Sequence, residues 1–218
     1  MRKENTMDQI IKERYDLLGP RVAEAMERRQ FQAWYVSSAA EATEKLLELI
    51  GTEDTVGWGG SMTLNALGIK DALRQRGQKL LDRDAVSAPE EKTAVMRAAL
   101  TADVFLMSAN AITQSGELFN IDGNGNRVAA LCFGPKSVIV VAGMNKVVAD
   151  MDAAYARARH VAAPTNGVRF HGSTPCAQTG ACADCLSPGC ICAQLVETRF
   201  SRPAQKIKVI LIGEELGY

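Results

Sequence analysis

The stretch VFLMSANAITQSGELFNIDGNGNRVAALCFGPKSVIVVAGMNKVV, residues 104–148, decides the fold of this 218-residue chain. Within it, Val138–Val141 is the most strand-like run of the sequence, because β-branched residues follow one another without a helical period. A run that is apolar on both faces is typical of a central strand in a parallel sheet covered by helices. Val104–Met107 is predicted to be a second strand of the same kind.

Between these two strands, the sequence predicts a polar loop and then an antiparallel hairpin. Leu118–Ile121 and Arg127–Leu131 flank the segment Asp122–Asn126. Its Asp-Gly and Asn-Gly dipeptides favour the positive φ angles that hairpin turns require. Cys132 follows the second arm directly and is predicted to be a core residue.

Apolar runs alternate with helical patterns along the rest of the chain. The other predicted strands are 31–36, 55–58, 79–81 and 207–212, and the predicted helices include 39–50, 89–99 and 150–162, the last ending before Pro164. This alternation is typical of an α/β fold with a Rossmann-like, mainly parallel sheet, helices on both faces and the hairpin as an insertion. Residues 31–218 are expected to form a single domain.

Residues 1–30 are predicted to be an N-terminal helical segment. Their apolar stripe indicates two amphipathic helices, or one helix kinked at Pro20. We expect the stripe to pack on the core, and the alternative is a contact between two copies of the chain in a homo-oligomer.

Composition narrows the class of protein. The chain has 25 basic and 25 acidic residues, which argues against a whole-protein footprint for nucleic acid. The N-terminus lacks the apolar segment of a signal peptide, and no apolar run approaches the roughly 20 residues of a membrane span. These features predict a cytoplasmic protein with neither a nucleic-acid nor a membrane partner.

The glycine-rich turn Gly57–Thr63 lies between a predicted strand and a predicted helix. Gly59 and Gly60 would let the backbone approach a ligand closely, and Ser61 and Thr63 add hydroxyl donors near free amides at the helix start. The turn has neither the P-loop pattern nor the spacing of the dinucleotide-binding fingerprint. It therefore indicates a phosphate or carboxylate site, and a tight turn capped by Ser61 is an equally consistent interpretation.

Polar loops at the carboxyl ends of parallel strands meet at one edge of a sheet, where such folds bind ligands. We therefore expect a small anionic metabolite in one cleft there. The predicted substrate-binding residues are Gly59, Gly60, Ser61, Thr63, Asn110, Thr113, Gly116, Asn120, Gly123, Asn126 and Arg127.

Three residues of the same region are candidates for catalysis. An isomerase needs an acid/base pair beside a carbonyl, for which Glu117 and Asp122 are the carboxylates and Lys146 the electrophile. A transferase would use a carboxylate nucleophile, and Glu117 suits that role better. The alternative is that Asp122 only opens the hairpin turn and that Lys146 is solvated.

Five of the six cysteines fall in a loop with the spacing Cys176-x5-Cys182-x2-Cys185-x4-Cys190-x1-Cys192. Four thiolates are the ligand set of zinc and of a cubane iron–sulfur cluster. The predicted metal ligands are Cys176, Cys182, Cys185 and Cys192, with Cys190 as a spare and His171 as an alternative. Reduced, unligated thiols are the other interpretation.

The residues discussed above also carry a family resemblance. GWGGSMTL, SANAITQSGELFNIDGNGNRVAAL, GPKSVIVVAGMNKVV and TPCAQTGACADC together resemble the lactate-utilisation (LUD) domain family, from about Phe31 to the cysteine loop at 171–192. The resemblance implies the fold of ribose-phosphate isomerase, glucosamine-phosphate deaminase and the CoA transferases, with a ligand site at the carboxyl edge of the sheet. The cysteine spacing differs from that of two-cluster ferredoxins.

The resemblance also implies a function. Members of the family are linked to oxidation of L-lactate to pyruvate alongside iron–sulfur partner proteins. The chain is thus expected to be a component or regulator of L-lactate utilisation. The alternatives are an autonomous sugar-phosphate isomerase or CoA transferase-like enzyme, and a non-catalytic metal-binding or redox-sensing module.

Overall fold

The computed structural model describes residues 7–218, so the first six residues of the predicted N-terminal segment lie outside the described residues. The α-helices are α1 Met7–Arg28, α2 Ala39–Leu49, α3 Met62–Ala66, α4 Ile69–Gln75, α5 Pro89–Ala98, α6 Asn126–Cys132, α7 Met151–Arg157, α8 Ala163–Arg169 and α9 Pro175–Thr179. The strands are β1 Gln32–Val36, β2 Thr55–Trp58, β3 Lys79–Leu81, β4 Val104–Met107, β5 Ala111–Thr113, β6 Leu118–Asp122, β7 Ser137–Gly143, β8 Val147–Val148, β9 Gln194–Thr198 and β10 Ile207–Ile212.

Six strands form a fully parallel sheet in the order β1-β10-β7-β4-β2-β3. In β7, Val138 and Val140 join the apolar core on one face, whereas Ile139 and Val141 join the core on the other face. All four side chains are fully buried. The predicted α/β class and the predicted central strand are therefore confirmed.

Helices cover both faces of this sheet. On one face, α1 buries Val22 and Met26 in the same core as Val140. On the other face, α2 and α4 contribute Leu46 and Leu73. The N-terminal segment is thus one helix with Pro20 inside it, and its apolar stripe packs on the sheet core.

The predicted hairpin is wrong in its second arm, because residues 127–131 belong to helix α6. The carboxylate of Asp122 accepts hydrogen bonds from the backbone N–H groups of Arg127 at 2.9 Å and Val128 at 3.0 Å. It thereby satisfies amides that are left free at a helix start. Cys132 ends this helix and is exposed, which corrects its placement in the core.

The antiparallel insertion is formed instead by β5 and β6, within a second sheet of order β8-β5-β6-β9. Strand β6 pairs with β5 on one side and with β9 on the other, both antiparallel, while β5 pairs with β8 in parallel. Strand β9, which follows the cysteine segment, has no counterpart in the sequence-based prediction.

The helix predicted to end before Pro164 continues past it. Residues Ala158–Ala162 form a π-helical turn between α7 and α8, and Pro164 lies in the first turn of α8. A π turn changes the hydrogen-bond register, and proline is tolerated in a first helical turn because its missing N–H is not needed there. The longer helix carries Arg169 to the edge of the parallel sheet.

Among residues 7–218, no helix combines the length and the apolar character needed to cross a bilayer.

Candidate functional site

A cavity of about 200 Å³ opens at the carboxyl edge of the parallel sheet. Ser61 after β2, Ser108 after β4 and Lys146 after β7 all line it. A water molecule occupies about 30 Å³ of liquid, so the cavity has room for roughly seven waters or one small metabolite.

Lys146 lies at the bottom of this cavity, and only 2% of its surface is exposed. Its Nζ donates hydrogen bonds to Thr63 Oγ1 and to Ser108 Oγ, both at 3.0 Å. None of the ion pairs formed by residues 7–218 includes this amine. Burial, together with the smaller effects of the positive charges of Arg157 and Arg127, lowers the pKa of Lys146 to about 7.

Arg127 stabilises the wall of the cavity. Its guanidinium donates to the backbone oxygens of Ser108 at 2.7 Å and Ile121 at 2.6 Å, and to the side-chain oxygens of Asn120 at 2.7 Å and Asn110 at 2.9 Å. All its terminal nitrogens are therefore engaged with protein acceptors. Arg127 contributes positive charge to the cavity and holds the ends of β4 and β6 together, and burial lowers its pKa.

Two other donors remain without a partner at this site. Arg169 Nε and Tyr218 Oη are buried and make no hydrogen bond within the described part of the chain. Arg169 is held by its Nη2, which donates to Asn166 Oδ1 at 2.8 Å. Buried polar atoms in folded proteins are almost always paired with protein or ordered water, so these two donors are available to an acceptor in the cavity.

The charges that line the cavity are unbalanced. Arg83, Arg127, Lys146 and Arg169 supply four basic side chains, and Asp122 supplies the one acidic side chain among the lining residues of the described chain. One carboxylate oxygen of Asp122 is already occupied by the backbone of α6. The cavity is therefore suited to an anion that carries hydrogen-bond acceptors.

The structure brings most of the sequence-predicted site residues together. Those that line the cavity are Gly60, Ser61, Asn110, Asp122, Gly123, Asn126, Arg127 and Lys146. Three more support the lining from behind. Thr63 binds Lys146, Asn120 accepts from Arg127, and Gly59 leaves room for the Arg127 side chain, since a Cβ there would lie 3.1 Å from Arg127 Cδ.

Thr113, Gly116 and Glu117 lie outside this cavity, contrary to the expectation of a single cleft. They form the turn between β5 and β6, at the opposite end of these strands from Asn110. Glu117 forms an ion pair with Arg29, the residue that directly follows α1. Burial raises the pKa of Glu117, but hydrogen bonds from Ser115 and Thr113 outweigh it and the pKa is lowered overall. The turn thus anchors the end of α1.

Outside the predicted hairpin turn, sequence reasoning missed five polar lining residues, namely Arg83, Ser108, Asn166, Arg169 and Tyr218. Ser108 could have been found, because it directly follows a buried strand whose carboxyl end was expected to face the ligand. The other four come from distant segments without a local sequence signal. Arg169 was missed because the sequence predicts that its helix ends before Pro164.

The five clustered cysteines line a second cavity of about 370 Å³. The thiol of Cys190 lies within hydrogen-bonding reach of both Cys185 and Cys192. Arg159 Nη2 lies 3.4 Å from Cys182 Sγ. Cys190, expected to be a spare, therefore has a central place in the cluster.

These cysteines do not form a ready metal site as they are placed. Over residues 7–218, no three His, Cys, Asp or Glu side chains are grouped so that they could hold a metal ion. The ligand set Cys176, Cys182, Cys185 and Cys192 stays a prediction that requires thiols to move, and we derive no chemistry from a zinc ion or an iron–sulfur cluster. His171 does not line this cavity.

The two cavities share a wall. Ile191 and Ala163 line both of them. Ile191 also lies against Gly123 of the first cavity, where an added Cβ would come within 3.3 Å of its Cα. The cysteine segment is therefore in direct contact with the first cavity.

Comparisons with known proteins agree with this architecture. Residues 20–212 match the sequence profile of the LUD domain. The structure is similar to the crystal structure of a DUF162 family protein from Deinococcus radiodurans, with a TM-score of 0.54 and 14% identity over 90% of this chain and 97% of that one. A second likeness, to eIF2B delta from Chaetomium thermophilum, has a TM-score of 0.32 and 19% identity over 67% of this chain and 59% of that one, and is too weak to support a conclusion.

Among curated proteins, no sequence matches the chain. The family match spans most of the chain, and the solved DUF162 structure shares its α/β fold. The chain therefore belongs to the LUD domain family, which is associated in general with lactate utilisation.

Proposed function

We propose that this protein binds a small anionic metabolite in the cavity around Lys146, as a component or regulator of L-lactate utilisation. The observation that carries the proposal is the buried amine of Lys146 beside the half-buried Arg169, neither of which has a carboxylate partner within residues 7–218. A buried charge without a partner is destabilising by several kcal/mol. An anion in the cavity would remove that penalty.

The donors indicate how the anion would be held. Arg169 Nε and Tyr218 Oη are free to donate, and the amine of Lys146 has one N–H beyond the two that bind Thr63 and Ser108. Three donors around one small cavity suit a carboxylate or a phosphate group, whose oxygens accept several hydrogen bonds at once. The family association with lactate utilisation makes a short carboxylic acid our first choice.

The enzymatic alternatives differ in their support. A sugar-phosphate isomerase would use Asp122 and Lys146, which share the cavity. A CoA transferase-like reaction would use Glu117 as its nucleophile. That side chain, however, is paired with Arg29 outside the cavity. The isomerase remains the second candidate, and a screen of sugar phosphates for turnover tests it.

Binding can be measured by calorimetry with L-lactate, pyruvate and inorganic phosphate. We expect at least one of them to bind the parent protein, and Lys146→Met and Arg169→Met to weaken it about tenfold or more, which is about 1.4 kcal/mol for each factor of ten. Lys208→Met is the matched control, since burial also lowers the pKa of Lys208 but its amine binds Ser137 at the opposite edge of the sheet. Equal affinity in all three variants would remove the cavity from consideration.

The link to lactate is tested separately in cells. Deleting the gene should slow growth on L-lactate, and a copy that encodes Lys208→Met should restore it while Lys146→Met should not. Unchanged growth of the deletion strain would contradict the role in lactate utilisation and leave anion binding to be judged by calorimetry.

A further inference from the structure

We propose that Lys146 Nζ forms an imine with the carbonyl carbon of a small 2-oxo acid whose carboxylate is held by the basic side chains of the cavity. The inference rests on the proposed function and deepens it, because it names the substrate class and the bond that the site makes.

The environment of Lys146 differs from that of the lysines in ion pairs. Lys136, for example, donates to the carboxylate of Asp103, which raises the pKa of its amine. Lys146 is instead held in the cavity by two neutral hydroxyls, and three other basic side chains line the same space. A buried amine in cationic surroundings is the arrangement that activates lysine as a nucleophile.

The protonation state of Lys146 depends on the same surroundings. Because the pKa of Lys146 is lowered to about 7, roughly half of the molecules carry the free amine at neutral pH. Burial also lowers the pKa of Lys206, but its Nζ donates to the backbone oxygen of Leu131 and does not line the cavity. Lys146 therefore combines a free amine with access to a ligand.

The remaining donors select the rest of the substrate. The unpartnered Arg169 Nε and Tyr218 Oη can hold a carboxylate while the carbonyl faces Lys146. Room for roughly seven waters admits an oxo acid of about three to five carbons. A hydroxy acid such as L-lactate would bind through its carboxylate and could not form the imine.

The step is balanced without a further reactant. The lone pair of Nζ attacks the carbonyl carbon and forms a C–N bond, and the two protons of the amine move to the carbonyl oxygen, which leaves as water. The hydroxyls of Thr63 and Ser108 accept hydrogen bonds from the amine and are placed to relay these protons. Nothing is oxidised or reduced, and water reverses the reaction.

The test is reductive trapping. The intact protein is incubated at neutral pH with pyruvate and sodium cyanoborohydride, which converts an imine to a stable secondary amine, and the modified residue is located by peptide mass spectrometry. We expect one pyruvate per chain on Lys146, its loss in Lys146→Arg, and its retention in Lys208→Arg. L-lactate with the same reductant should give no adduct.

The outcomes separate the two proposals. If calorimetry shows that pyruvate binds but no adduct forms on Lys146, the imine is wrong and anion binding stands. An adduct spread over several lysines and undiminished in Lys146→Arg would likewise overturn the imine. If pyruvate, L-lactate and phosphate all fail to bind, both proposals are wrong.

Discussion

Lys146 Nζ lies 3.0 Å from Ser108 Oγ, and the two residues follow the neighbouring parallel strands β7 and β4 at their carboxyl ends. The register of these strands, in which Met107 lies opposite Val140, brings the two residues to the same edge. Both strands are buried in the core. The amine of Lys146 is thus positioned by two strands of the buried core.

The buried amine should lower the stability of the protein below neutral pH. The pKa of Lys146 is about 7 in the folded protein against an ordinary value of 10.5. Below about pH 7 both states are protonated and the penalty is fully present. Between about pH 7 and 10.5 only the unfolded state binds the proton, so the stability of the parent rises.

Lys146→Met removes this dependence. We expect the variant to be more stable than the parent at pH 6, by an amount on the order of 1.4 kcal/mol for each unit of pKa shift, and the difference to shrink towards pH 9. Denaturant unfolding at both pH values measures it. Lys79→Met, at an exposed ion pair, is the control. A difference that is independent of pH would contradict the assignment.

Carboxylate binding should weaken as the pH rises. L-lactate favours the protonated amine, so its affinity should be constant below about pH 7 and fall up to about tenfold per pH unit above it. Lys146→Arg keeps its charge throughout and should bind with little change between pH 6 and 9. Calorimetric titrations over that range decide the matter. The same slope in both proteins would exclude Lys146 as its source.

Gly60 should control entry to the cavity. A Cβ at this position would lie 3.5 Å from Arg83 Nη2, which is ordinary contact, so Gly60→Ala should bind L-lactate like the parent. The larger Gly60→Val side chain should reduce affinity at least ~10-fold, equivalent to ~1.4 kcal/mol, while leaving the melting temperature nearly unchanged. Undiminished affinity in Gly60→Val would remove this turn from the site.

Glu117 should matter for stability and not for binding. Glu117→Gln loses the charge opposite Arg29, and because both side chains are partly exposed we expect a loss of only about 1–2 kcal/mol. L-lactate affinity should be unchanged, since the residue lies outside the cavity. Thermal unfolding and calorimetry on one preparation measure both. A large loss of affinity without a loss of stability would restore Glu117 to the site.

The cysteine segment should depend on a metal for part of its order. Protein purified under reducing conditions should contain zinc or iron, and the double variant Cys182→Ser/Cys185→Ser should lose the metal and melt several degrees lower, since about 1 kcal/mol shifts the melting temperature by about 2–4 °C at this size. Cys132→Ser is the control. Absence of both metals together with an unchanged melting temperature would end the metal hypothesis.

The parallel sheet was readable from sequence because its central strands are buried on both faces. Val138–Val141 and Val209–Ile212 are apolar without interruption and fully buried, and few other structures tolerate such runs. The prediction for the glycine-rich segment after β6 was wrong because residues that favour a hairpin turn can also precede a helix. Gly125 does adopt a positive φ of 77°, but it precedes helix α6 and the carboxylate of Asp122 binds the amides of that helix.

The site was readable where it follows the strands and hidden elsewhere. Ser61, Asn110 and Lys146 each lie three residues after the end of a parallel strand, so topology alone brings them together. Arg169 and Tyr218 arrive from segments whose paths depend on tertiary packing. Because these two carry the unpartnered donors, the part of the site that selects the ligand was the part that local sequence patterns could not indicate.

Because the two cavities share a wall, we expect an event in one of them to change the binding affinity of the other. Cys190 and Cys192 flank Ile191, so any event that fixes those thiols also fixes one side of the anion cavity. Coupling free energies are reciprocal. If an oxidant or metal changes the affinity for the anion by some factor, the anion changes the affinity for that oxidant or metal by the same factor. If an anion binds as proposed, we expect the reactivity of these two thiols to change with its occupancy, so that a thiol-reactivity assay would follow binding without labelling the ligand.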